Sequence, residues 1–182
     1  MLKLVVAVGG ASGAPYARRL LDVLAREPAD TVQTHVVFSK SAQMVWAQEV
    51  GTPTSELPFK KWDARDFNAP FASGSAGFGA MVVIPCSMAG LGRIAHGVSE
   101  DLIGRAADVM LKERRKLILV ARDTPLSLIH LENMAAVTRA GALVLPAMPS
   151  FYGRPQTVED VLDTVVGRVL DQLGLPIRLG PR

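Results

Sequence analysis

Two short runs in this sequence carry residues suited to holding a phosphorylated small molecule. The first, Gly9-Gly10-Ala11-Ser12-Gly13-Ala14, ends an apolar stretch and opens a helical pattern. Glycine lets a backbone approach a ligand closely, and a new helix turns free N–H groups and the positive end of its dipole toward a phosphate. Ser12 is placed to cap that helix and to offer its hydroxyl to the anion, although the same run also reads as a structural glycine turn with a serine cap. The second run, Pro85-Cys86-Ser87-Met88-Ala89-Gly90, supplies a hydroxyl, a polarizable thioether and N–H groups at another helix start. Between them, Phe38-Ser39-Lys40 closes a further apolar run. The spacing is neither G-x-G-x-x-G nor a P-loop ending in Gly-Lys-Ser/Thr. No Asp or Glu follows the second apolar run to hold a ribose hydroxyl, which disfavours NAD and leaves NADP only Lys40. One phosphate, a short cradle and hydroxyls at successive strand ends suit a mononucleotide such as FMN better.

Other chemistry is excluded more readily. Cys86 is the one cysteine, so no intrachain disulfide or multi-cysteine zinc site can form, and it reads as a small buried residue. His130 and Glu132 give the H-x-E of zinc deaminases without the following P-C-x-x-C, and no Asp-rich magnesium motif is present; no metal is expected. The net charge is +3, with Lys112-Glu113-Arg114-Arg115-Lys116 as its densest run. A solvated helix end or an acidic small-molecule ligand accounts for that run. Only 5% of residues are aromatic and no reader motif appears, so nucleic acid is not the expected partner.

The elements that must position these residues follow from periodicity. Runs 2–8, 32–38, 80–85, 116–121 and 142–146 are almost continuously apolar, as strands buried on both faces of a parallel sheet are. Residues 14–26, 101–114 and 157–173 carry apolar stripes at helical spacing. This alternation predicts an α/β, doubly wound parallel sheet with helices on both faces, a three-layer sandwich. Residues 51–79, punctuated by Gly and Pro, read as a long functional loop within one domain spanning 1–182. The tail 174–182 is expected to be irregular and to pack on a neighbouring subunit. No apolar run spans a bilayer and the N-terminus reads as a strand rather than a signal peptide, which points to the cytoplasm.

With those elements in place, a family resemblance covers nearly the whole chain in collinear order. Gly10-Ala11-Ser12-Gly13, Pro85-Cys86-Ser87-Met88, Arg105-Ala106-Ala107-Asp108-Val109, Leu111-Lys112-Glu113-Arg114-Arg115 and Ile129-His130-Leu131-Glu132-Asn133-Met134 resemble those of UbiX-like flavin prenyltransferases, formerly labelled aromatic acid decarboxylases. Pro149-Ser150-Phe151-Tyr152 and Val166-Gly167-Arg168 do so too. The resemblance implies a flavodoxin-like, Rossmann-like sandwich in a homo-oligomer, typically a dodecamer, with sites at subunit junctions. It implies metal-independent transfer of a dimethylallyl group from dimethylallyl phosphate to N5 and C6 of reduced FMN, the prenylated FMN serving a UbiD-type decarboxylase. By motif match, Gly10, Ala11, Ser12, Ser39, Ser87, Met88, Ala89, Gly90 and Arg122 fall at FMN-contacting positions. Tyr152 and Arg168 fall at prenyl-phosphate positions, with Arg105 and Lys112 nearby, and Glu49 and Asp123 at positions of site acids.

This sequence departs from the family in having Gly90 where Thr is usual, Asp123 where Glu is usual, and Ser99-Glu100-Asp101 for Ser-Asp-Asn. Arg, Lys and Tyr donors suit a departing phosphate, and Trp46 and Trp62 are the only indoles that could flank an allylic cation. Trp46 also reads as core packing on a helix. Two other functions fit part of the pattern: an FMN-dependent cysteine decarboxylase, for which His35, His96 and His130 are poorly placed, and a non-enzymatic FMN carrier, which would not need Lys112, Tyr152 and Arg168.

Overall fold

The apolar runs become strands because each must bury both faces. Alternate residues of β1 (Leu2–Val8) feed opposite cores: Leu4, Val6 and Val8 pack on one side, Val5 and Ala7 on the other. β2 (Val32–Phe38), β4 (Ala80–Cys86) and β5 (Lys116–Ala121) are placed as the runs predict, while the 142–146 run forms the short β6 (Leu143–Val144), with Leu145 also hydrogen-bonded to Leu119 and Ala121 of β5. All strands are parallel, in the order β3-β2-β1-β4-β5-β6. The computed structural model describes residues 1–179.

The strand that periodicity missed is β3 (Lys60–Trp62), a three-residue edge strand inside the region read as a functional loop. That reading is corrected. Residues 63–79 form a crossover whose Ala69, Phe71 and Phe78 are buried in the second core, so the segment is packed structure rather than one long open loop. Without β3, the remaining strands have the 2-1-3-4-5 order of flavodoxin; with it they have the Rossmann order 3-2-1-4-5-6. Either order reverses beside β1, which puts a crevice between the carboxyl ends of β1 and β4.

Helices α1 (Ala14–Leu24), α2 (Lys40–Glu49) and α6 (Val158–Leu173) cover one face, and α3 (Met88–Ala95), α4 (Leu102–Lys112) and α5 (Leu128–Arg139) the other. Arg19 on α1 grips Asp163 of α6 with two hydrogen bonds of 2.6 and 2.9 Å and reaches Glu159 at 2.8 Å. The hydrogen bonds to Asp163 hold its guanidinium above the ordinary value, against partial burial. Residues 174–179 are irregular; Leu175 is buried, and Ile177 and Leu179 pack on the first core. The rest of the tail, 180–182, lies outside the described residues.

Candidate functional site

At the carboxyl ends of β1, β2 and β4 lies a narrow cavity of about 60 Å³, lined by Gly9, Gly10, Ser39, Ser41, Cys86, Ser87, Gly90, Arg93 and Asp101, among others. Helices α2 and α3 both start on it. Ser39 caps α2, its Oγ accepting from the Ala42 N–H at 3.1 Å, and Ser87 caps α3 by accepting from Gly90 at 3.2 Å. Each cap satisfies one of the exposed N–H groups at a helix start and leaves others available to an anion. Gly9 is required: a Cβ there would stand 2.4 Å from the Pro85 carbonyl oxygen, so a side chain would push the first and third loops apart. Met88 is buried behind the cap and Ala89 is exposed. Cys86 is fully buried, and burial pushes its thiol up to about 12, which makes it inert.

The first loop differs from expectation. Ser12 does not cap α1. The N-cap is Gly13, whose φ of 117° is strained for an L side chain, and the cap is supplied from far along the chain. Glu49 accepts from the Gly13 and Ala14 N–H groups at 2.8 and 2.9 Å, with Ser12 as a further donor. Desolvation pushes the Glu49 carboxyl up, but these three hydrogen bonds and the charge of Arg122 outweigh it and hold the group below the ordinary carboxylate value. The positive end of α1 is thus filled by a carboxylate of the same chain. The openings left for an external phosphate are the starts of α2 and α3. Arg122 joins this cluster because its N–H donates to the Cys86 carbonyl at 3.1 Å, fixing the end of β5 beside β4. Asp123 folds back to accept from Thr124 N–H at 2.8 Å and is otherwise exposed.

A second cavity, about 250 Å³, lies outside α6 and contains Ser150, Tyr152, Thr164, Arg168 and Arg178. Tyr152 is 98% exposed. Arg168 is paired with Asp171 at 3.0 Å, one turn along α6, with 63% of its side chain exposed. Asp163, also on this wall, is committed to Arg19. The two cavities share no lining residue.

Arg105 and Lys112 reach neither cavity. Arg105 donates to the Ala72 carbonyl at 3.0 Å and pairs with Asp108, tying the crossover to α4. Lys112 pairs with Glu113 at the end of α4, next to the start of β5 and so at the opposite end of the sheet from the strand-end cavity. Both indole N–H groups are engaged within the fold. Trp46 is core, as its helical position suggests, donating to the Thr52 carbonyl. Trp62 donates to Nδ1 of the buried His35 at 3.0 Å within a cluster that includes Phe71 and Phe78. Burial, with Lys60 and Lys3 nearby, holds that imidazole below its ordinary value, which favours the neutral ring whose Nδ1 accepts from Trp62. His130 belongs to the capping box of α5 with Ser127. Sequence reasoning missed Ser41, Arg93, Ser150, Thr164 and Arg178. The available signals were helical spacing from Gly90 to Arg93 and from Arg168 back to Thr164 and, for Ser41, a second hydroxyl two positions after Ser39.

Known proteins share this arrangement of chain. The family model described as Flavoprotein matches residues 1–170. Flavin prenyltransferase UbiX of Methanocaldococcus jannaschii is 45% identical over 177 residues, covering 96% of this chain and 94% of that protein. The solved structure of AnUbiX (PadA1) in complex with FMN and dimethylallyl pyrophosphate is 43% identical with a TM-score of 0.91, covering 100% of this chain and 99% of that one. The dodecameric FMN-dependent UbiX-like decarboxylase from Escherichia coli O157:H7 is 45% identical with a TM-score of 0.94, covering 100% and 98%.

Proposed function

This chain belongs to the UbiX-like flavin prenyltransferase family, and from that premise we propose that it joins a dimethylallyl group to N5 and C6 of reduced FMN, releasing the phosphate of the donor. The observation that carries the proposal is the presence of two separate anion-ready cavities, one of backbone and hydroxyl donors at the strand ends and one holding Tyr152 and Arg168. A carrier needs only the first.

The strand-end cavity fits a mononucleotide phosphate: Ser39, Ser87 and the N–H groups of α2 and α3 would hold it, with Gly10, Ala11, Ser12, Met88, Ala89, Gly90 and Arg122 toward the rest of the flavin. Reduced FMN supplies the nucleophilic nitrogen and carbon. The chain's own work is to bind the donor phosphate, to neutralise charge as it departs, and to hold acids beside the reacting atoms. Tyr152 and Arg168 donate to the phosphate oxygens, which stabilises the leaving group more than the bound ester. Glu49, whose carboxyl is held below its ordinary value by the hydrogen bonds of Ser12, Gly13 and Ala14, would accept a proton at the flavin edge through Ser12, and Asp123 would be a second acid beside Arg122. Lys112 and Arg105 are then contributed by a neighbouring copy, consistent with the dodecameric relative and with the exposed Leu128, Ile129, Met148 and Phe151. The assembled enzyme would work in the cytoplasm and pass prenylated FMN to a UbiD-type decarboxylase.

The test is anaerobic incubation with reduced FMN and either dimethylallyl phosphate or dimethylallyl diphosphate, followed by mass analysis of the flavin. Gain of one isoprene unit is expected; an unaltered flavin with both donors would overturn the proposal.

A further inference from the structure

Several arginines of this chain are engaged by other groups of the fold. Arg18 pairs with Asp22, Arg19 with Asp163, Arg105 with Asp108 and Arg168 with Asp171, while Arg115 donates to the Gly74 carbonyl. Arg93 is different. Its guanidinium has no hydrogen bond or ion pair among the described residues, yet the residue lines the strand-end cavity, where it is the one cationic side chain. It follows Gly90 by three positions on α3, so the two share a helix face. Its charge is felt by the Cys86 thiol in the cavity wall.

Resting on the reading that this cavity takes the phosphate of FMN, we infer that Arg93 is the charged contact that makes flavin binding depend on that phosphate. The remaining donors, Ser39, Ser41, Ser87 and the helix starts, are neutral and partly engaged with one another: the Ser39 and Ser41 hydroxyls lie 3.3 Å apart, and both caps are made. The cavity's one carboxylate, Asp101, caps α4 by accepting from the Gly104 N–H at 2.8 Å and faces the same space. A phosphate dianion entering beside Asp101 needs a compensating cation, since helix starts alone contribute only partial charge. Arg93 also stands one turn from Gly90, which has no side chain to offer a ligand. A Cβ at Gly90 would meet only the Ser87 Oγ, at 3.3 Å.

Fluorescence titration of oxidised FMN and of riboflavin against the wild-type chain, Arg93→Ala and Arg93→Lys tests this, at low and at high salt. Arg93→Ala is expected to weaken FMN binding about tenfold to a hundredfold, the range for one hydrogen bond to a charged group, with riboflavin binding unchanged. Arg93→Lys should recover part of the loss, and FMN affinity of the wild type should fall more steeply with salt than that of Arg93→Ala. Unchanged FMN affinity in Arg93→Ala, or equal weakening of FMN and riboflavin, overturns the assignment of Arg93 while leaving the flavin site standing. A wild-type chain that binds neither flavin overturns the flavin reading itself, and this inference with it.

Discussion

At the strand ends, Ser39 and Ser87 are held by the very helix starts they cap, whereas beside α6 Tyr152 and Arg168 project from the surface and Arg168 leans on a neighbouring aspartate. The first cavity is preorganised by backbone, and its donors need not move to receive an anion. The second is made of long side chains whose ordering must be supplied when a ligand or further protein arrives. The contrast suits two tasks. On the proposed reading, a flavin would be held by rigid donors and a leaving phosphate met by groups that tighten as charge develops.

The largest effect expected from breaking this comparison is at Arg168. Arg168→Ala should remove about 2–4 kcal/mol of transition-state stabilisation, roughly a thirty-fold to thousand-fold loss in single-turnover prenylation, with FMN affinity unchanged. Loss of FMN binding with an intact rate at saturating flavin would merge the two cavities into one cofactor site. Next comes Ser87→Asp. Aspartate still caps α3, so the fold should survive, but it sets a carboxylate against the incoming phosphate. FMN affinity is expected to drop at least about tenfold, with riboflavin spared. A titration in which both flavins bind as before would place the phosphate elsewhere.

The smallest effect sharpens the comparison at the first loop, where the anion is built in. Glu49→Gln keeps an acceptor for Gly13 and Ala14 but removes the charge at the start of α1, worth about 0.3–1 kcal/mol at an exposed helix end. Because the native carboxyl titrates below its unfolded value, this advantage is complete above the ordinary carboxylate value and is lost as pH falls through the lowered native one. Thermal unfolding of both proteins from neutral to acidic pH should therefore converge at the acid end. A constant gap across that range would mean that the charge of Glu49 does not support α1.

Much of the framework was legible because burial on both faces leaves an unmistakable apolar run. Val32–Phe38 and Ala80–Cys86 are such strands, and Ser39 and Ser87 could be read from standing directly after them. β3 escaped because an edge strand of Lys60, Lys61 and Trp62 buries little and shows no such run. α5 escaped for the opposite reason: Leu128, Ile129 and Leu131 are apolar but exposed, so no stripe separates a buried from a wet face. Within the site, Ser12 was assigned the cap that Glu49 provides, since local reading favours the adjacent hydroxyl and cannot see a carboxylate folded back across 36 positions. Arg105 and Lys112 matched family positions by sequence, but the direction of α4 carries them away from this chain's own cavities.

The margins of the sheet have a bearing on how copies of the chain can meet. One border strand is three residues long and bears two lysines, and the other, β6, is only two residues long. A short border offers few unpaired amide and carbonyl groups, and the two lysines of β3 also repel their own image, so both margins are poor templates for a further strand from another molecule. Growth by edge-to-edge stacking, the route by which open sheets run on into fibres, is closed at both sides. Any ordered assembly has to form through helices and loops, where closed symmetry can end it at a finite number of copies.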